Sequence, residues 1–155
     1  MDKDAVKRYL ENGSSSAGPG SASTRTPRFF ESFIMNGLRV LSVEPGRVLC
    51  SLSVPDRLLN AGNFLHGGAT AALVDMVGSA TIFSVGAPTS GVSVEINVSY
   101  LDSAFAGEEI EIEGKVLRVG KAVGVVTVEL RKKNGKIIAQ ARHTKYLAIP
   151  VPSKL

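Results

Sequence analysis

At 155 residues the chain is long enough for one domain with a real core. Lys and Arg number 18 against 14 Asp and Glu, a net +4 that suits an anionic small molecule as well as nucleic acid. A single Cys (Cys50) excludes an internal disulfide or multi-cysteine metal site, and two His (His66, His143) argue against a His-rich metal site, so chemistry falls mainly to carboxylates, amides, hydroxyls and backbone.

Asp2 to Glu11 reads as a short exposed helix, and the Gly/Ser-rich run Asn12 to Thr24 as a flexible linker. Thr26-Pro27 has the form of an N-cap with proline at the first helical position. The helix it opens is expected to reach Met35, bury Phe29, Phe30, Phe33 and Ile34, and stop at Asn36-Gly37. The hydrophobic period then changes to two. Leu38 to Val43 and Arg47 to Val54 flank Glu44-Pro45-Gly46 as a hairpin, and Pro55-Asp56 ends the second strand.

Gly67 to Val85 is the one long helix. Ala69, Ala72, Leu73, Met76, Val77 and Ala80 form an apolar stripe at helical period. Beside it, Gly68, Ala71, Gly78 and Ser79 surround Asp75 with small side chains, so another backbone can come close and leave the acid in a crevice. After a turn at Pro88 to Ser90, Val92, Val94, Ile96, Val98 and Tyr100 alternate with Ser93, Glu95, Asn97 and Ser99, the pattern of a half-buried strand. Glu109 to Val119 and Ala122 to Leu130 are further strands, with Gly114 marking a bulge in the first. Asn134-Gly135 is a hairpin turn, and Lys136 to Ile149 is the last strand. One long helix followed by antiparallel strands is an α+β arrangement.

No stretch reads as membrane-spanning. The uncharged run from Met76 to Val94 is broken by Gly78, Ser79, Thr81, Ser84, Gly86 and Pro88. Asp2 and Asp4 and the lack of an apolar core argue against a secretory signal or transit peptide. Ser153-Lys154-Leu155 has the form of the peroxisomal address, with the cytosol as second choice, and Pro150 and Pro152 are expected to hold that end extended. An import receptor is the partner this implies.

The informative stretch runs from Asn60 through His66-Gly67-Gly68 to Asp75. A helix that starts at paired glycines offers free N–H groups to a close-lying ligand, and its dipole adds partial positive charge. A free N–H aimed at a carbonyl oxygen is an oxyanion hole in outline. Gly67 and Asp75 are eight residues apart, or about 12 Å along one helix. Reacting groups must approach to about 3 Å. Either these residues do unrelated jobs, or a two-fold dimer with antiparallel helices brings one subunit's Gly67 to the other's Asp75.

Leu65-His66-Gly67-Gly68, Leu73-Val74-Asp75, Gly91-Val92-Ser93-Val94 and Arg142-His143-Thr144-Lys145, in order and register, resemble the hotdog-fold acyl-CoA thioesterases of the PaaI-like branch. The similarity covers about Phe29 to Leu147. It implies a long central helix wrapped by a curved antiparallel β-sheet, within a domain spanning residues 27–149 between a flexible segment at 1–26 and a tail at 150–155. It implies homodimers or homotetramers with composite sites, and neither a metal nor a separate cofactor, coenzyme A being part of the substrate. On that resemblance Asn60 and the Gly67 amide polarise the thioester carbonyl. Asp75 acts as general base or nucleophile, Ser93 orients the water, and His66 orients the loop or acts directly. Tyr100, Arg118, Gly120 and Lys121 fall where the family binds coenzyme A. Arg118 stands where Lys is common, which keeps the charge.

Read one by one, these residues have plainer roles. Asn60 is a turn residue, His66 a loop or capping group, Ser93 a solvent-facing strand residue, and Arg118 and Lys121 surface charges. His143 reads as structural, Cys50 as a small buried hydrophobe, and Glu108, Glu109, Glu111 and Glu113 as a solvated strand edge. Within the thioesterases an aromatic acyl-CoA substrate, such as a hydroxynaphthoyl-CoA, competes with a fatty one, and three other readings compete with a thioesterase. A hotdog hydratase or dehydratase would depend on His66 with an acid. A non-catalytic acyl-CoA-binding module would not need Asp75. A nucleic-acid binder lacks any motif here.

Overall fold

The computed structural model describes residues 2–11 and 29–148. The Thr26-Pro27 cap, the Gly/Ser-rich linker, Ile149 and the Ser153-Lys154-Leu155 tail lie outside the described residues. Alternating side chains and Gly-bearing turns produce six strands: β1 (Arg39–Glu44), β2 (Arg47–Ser53), β3 (Val92–Tyr100), β4 (Glu109–Val119), β5 (Val123–Lys132) and β6 (Ile137–Tyr146). They form one antiparallel sheet in the order β1-β2-β4-β5-β6-β3. The β5–β6 turn is built as its residues demand. Gly135 takes φ +88°, and Asn134 Oδ1 accepts from the Lys136 N–H at 3.0 Å.

Among the described residues three α-helices accompany the sheet: α1 (Lys3–Glu11), α2 (Phe29–Met35) and α3 (Gly67–Phe83). The long helix α3 packs against β2 through β6, and α1 and α2 pack against it as well. It is therefore buried well beyond the single expected stripe, with Val74, Gly78, Ser79 and Thr81 buried too. No helix among the described residues is long and apolar enough to cross a membrane. Gly114 is not a bulge. It pairs in register with Val48 and Val128, and the bulge falls between Val116 and Arg118. A Cβ on Gly114 would lie 2.1 Å from Thr81 Oγ1, so glycine here lets the helix approach the sheet.

Other expectations fail for reasons of packing. The first helix is not simply exposed. Val6 and Leu10 are buried, Tyr9 meets Phe83 edge-on with centroids 6.0 Å apart, and Glu11 accepts from the Val40 N–H at 3.0 Å. In α2 only the last turn reaches the core. Ile34 and Met35 are buried and Phe33 packs on them, while Phe29 is 79% and Phe30 57% exposed. Glu113 is buried, at 5% exposed, and is not a solvated edge residue. Arg47 and Arg131 each approach it to 2.6 Å and Lys115 to 3.0 Å. Burial pushes its carboxyl pKa up, but the hydrogen bonds from Lys115 and Arg47 outweigh that and hold it below the usual range.

β3 departs most from expectation. It is an edge strand paired with β6, and Val92, Val94 and Tyr100 are 53%, 65% and 56% exposed. A register shift between Ser93 and Glu95 breaks the alternation, so Ser93 and Ile96 share the inner face although three positions separate them. Bulges re-aim side chains in this way.

Candidate active site

Asp75 sits in the middle of α3 and receives groups from the last two strands of the sheet order. Ser93 Oγ on β3 donates to Asp75 Oδ1 at 3.0 Å. His143 Nε2 on β6 is 2.9 Å from Ser93 Oγ and 3.4 Å from Asp75 Oδ1. Lys145 Nζ, two residues along the same strand face, is 3.7 Å from Asp75 Oδ1 and donates to Ser79 Oγ at 2.6 Å. Ser79 Oγ in turn donates to the Asp75 carbonyl at 2.7 Å. Ser93 has one hydroxyl proton and spends it on Asp75, so it accepts from the N–H of a neutral His143.

The surroundings of His143 support that protonation state. The ring is fully buried, and its Nδ1 has no hydrogen-bond partner among the described residues. It lies against Gly78, where a Cβ would stand 2.7 Å from Nδ1. Burial first, and then the charge of Lys145, push its pKa down to about 4, against a weaker upward pull from Asp75. The folded value lies below the usual 6.5, so the unfolded chain takes up the proton first as pH falls. Stability held above pH 6.5 is lost between there and pH 4, by an amount on the order of 3 kcal/mol for a shift of this size. Thermal melts of His143→Gln across that range are expected to show a flatter fall in Tm than wild type. Parallel curves would remove His143 as the source.

The other half of the expected constellation gathers at the N-terminus of α3. Asn60 Oδ1 accepts from the N–H groups of Gly62 at 2.9 Å and Phe64 at 3.3 Å. This commits its oxygen to the loop, while its amide NH2 makes no hydrogen bond among the described residues. His66 is the N-cap, with Nδ1 accepting from the Gly68 N–H at 2.8 Å. With Gly68 capped and Thr70 bonded to the His66 carbonyl, the N–H groups of Gly67 and Ala69 are the donors left at that end among the described residues. Tyr100 lies over Gly67 and donates its OH to the Gly67 carbonyl at 3.0 Å. A cleft of about 360 Å³ opens beside it, lined by Phe64, Leu65, Gly67, Thr70, Tyr100 and Ile138 among others. That volume falls within the range of small-molecule sites.

The chain thus brings Asp75 and Ser93 together, and separately His66, Gly67 and Tyr100, with Asn60 in the loop that leads into that helix end. It does not bring the two groups together within one subunit. Arg118, Gly120 and Lys121 belong to the Asp75 end. Val119, Gly124, Lys145 and Ser93 form one cross-strand row, and the β4–β5 turn starts beside it, with Gly120 N–H bonded to the Val123 carbonyl at 2.9 Å. Three strand spacings put that turn roughly 14 Å from Ser93. Residue-by-residue reading missed His143 and Lys145 as partners of Asp75, and placed Ser79 beside it only as a small side chain. The available signal was that His143 and Lys145 are polar residues two apart on a strand face otherwise carrying Ala139 and Ala141.

One long helix held by a six-stranded antiparallel sheet, with a carboxylate at mid-helix and an open helix N-terminus, is the hotdog arrangement of thioester hydrolases. Residues 62–139 match the model of the thioesterase superfamily. The chain belongs to that family. Human acyl-coenzyme A thioesterase 13 is 39% identical over 115 residues, covering 74% of this chain and 82% of its own. The mouse protein of the same name is 36% identical over the same length. Among solved structures, zebra fish thioesterase superfamily member 2 superposes with a TM-score of 0.81 at 37% identity, covering 96% of this chain and 99% of its own. Mouse thioesterase superfamily member 2 does so with 0.78 at 30% identity, covering 96% and 98%.

Proposed function

We propose that the chain is an acyl-CoA thioesterase that hydrolyses the thioester to free acid and coenzyme A. The observation that carries this is the carboxylate of Asp75, held by Ser93 and His143 on a helix whose N-terminus presents a free N–H at Gly67. In this reading the Asn60 amide and the Gly67 N–H polarise the thioester carbonyl and stabilise the oxyanion. Asp75 removes a proton from water or attacks directly, and Ser93 holds the carboxylate in place. His66 keeps the glycine turn in shape. Its Nδ1 is committed to Gly68, which speaks against the His-dependent hydratase alternative.

The site is shared between two copies of the chain. The eight-residue offset between Gly67 and Asp75 supports this, as does the β3 edge, which carries exposed Val92 and Val94 and lacks a second neighbour among the described residues. Arg118 and Lys121 then come from the Asp75 subunit toward the phosphates of the coenzyme, with Tyr100 and Gly120 shaping the groove. A homotetramer, a place in lipid metabolism and peroxisomal import through Ser153-Lys154-Leu155 complete the proposal. A thiol-release assay over fatty acyl-CoA and aryl-CoA esters tests it. Turnover of at least one class is expected, and the absence of thiol release across the panel would overturn it.

A further inference from the structure

We propose that Lys145 is a positioning residue for this hydrolysis, fixing the Asp75 carboxylate through its charge and, by way of Ser79, through the Asp75 main chain. The inference rests on the reading of Asp75 as the hydrolytic carboxylate. The Lys145 side chain is 5% exposed. An ammonium group buried that deeply is retained where a counter-charge and hydrogen-bond acceptors meet it. Both are present. Nζ donates to Ser79 Oγ at 2.6 Å and faces Asp75 Oδ1 at 3.7 Å, and Ser79 Oγ donates to the Asp75 carbonyl at 2.7 Å. Lys145 therefore reaches Asp75 at two points. Among the described residues it is the one Lys or Arg in ion-pair contact with that carboxylate.

The arrangement has a direction. The Ser93 hydroxyl, His143 Nε2 and Lys145 Nζ all approach Oδ1. Oδ2 is left to take a proton from water or to attack. A neutral side chain of the same length would fill the space between β6 and α3 but would not favour the ionised carboxylate. The other titratable groups around Asp75 are Tyr9 on α1, Glu31 on α2 beside Tyr9, and His143 on β6. Burial first, and then Asp75, push Tyr9 up to about 12, and His143 is pushed down to about 4. Neither changes charge at neutral pH. Burial pushes the Lys145 ammonium below its ordinary value, against the upward pull of Asp75.

The test compares Lys145→Met, Lys145→Gln, Lys145→Arg and Ser79→Ala by thiol release across pH, with circular dichroism to confirm folding. The two neutral variants are expected to lower kcat about tenfold at an unchanged KM, with the acid limb moved up by about one pH unit. Lys145→Arg is expected to keep the wild-type limb and most of kcat. Ser79→Ala cuts only the link through the hydroxyl and is expected to lower kcat a few-fold with the limb unmoved. Folded neutral variants with wild-type kcat and limb would overturn the proposal. Neutral variants that fail to fold, together with wild-type kcat in Ser79→Ala, would overturn it too, because Lys145 would then serve the fold alone. An inactive Asp75→Asn beside wild-type-like Lys145 variants would remove this proposal and leave the hydrolytic reading standing. A fully active Asp75→Asn would remove the reading beneath it.

Discussion

Asp75→Asn is expected to lower kcat by about a thousandfold while KM changes little, the size of effect that loss of a general base produces. The substitution keeps the shape of the side chain and an oxygen to accept from Ser93, so binding and orientation survive. It removes the negative charge, which both a base and a nucleophile need. The Asp75 side chain is 44% exposed, which screens part of the loss, but Lys145 at 5% exposed loses its counter-charge, so Tm is expected to fall as well. Steady-state thiol release and a thermal melt on the same preparation separate the two effects. Unchanged turnover would show that the carboxylate takes no part in the chemistry.

The legible part of the fold was the part governed by local periodicity and turn chemistry. The α3 stripe, the Pro45-Gly46 and Asn134-Gly135 turns and the strand runs all follow from spacing, because helical and pleated repeats write themselves into adjacent residues. What could not be read was long-range. That β3 leaves its sequence neighbours to lie beside β6 at the sheet edge is a matter of topology, and it decides which side of Val92 and Val94 meets water. The bulge after Ser93 inverts the facing of one residue, and alternation alone put Ser93 toward solvent. Gly114 was visible as an exception but not as a seat for Thr81.

The candidate site divides in the same way. Asn60, Gly67, Asp75 and Ser93 were selected by their resemblance to a known pattern, and their separation into two clusters was foreseen from the helical rise alone. His143 and Lys145 were not selected. Their role depends on two elements far apart in the chain, α3 and β6, closing over a glycine at position 78. His66 shows the reverse. Its place before the glycines suggested chemistry, and its ring nitrogen is occupied as the helix cap.

The proposed sharing of the site is tested most directly by mixing subunits. Asn60→Ala removes one of the two proposed oxyanion donors and is expected to cost about 10² to 10³ in kcat, and Asp75→Asn removes the carboxylate, so each variant alone is expected to be nearly inactive. In a hybrid dimer, the wild-type Asn60 of one chain faces the wild-type Asp75 of the other at one of two sites. Co-refolded equal mixtures, with hybrids counted by native mass spectrometry, are expected to recover about a quarter of wild-type turnover, since half the dimers are hybrid and half their sites are whole. Hybrids that form and stay inactive would show that each chain completes its own site, and would contradict the account.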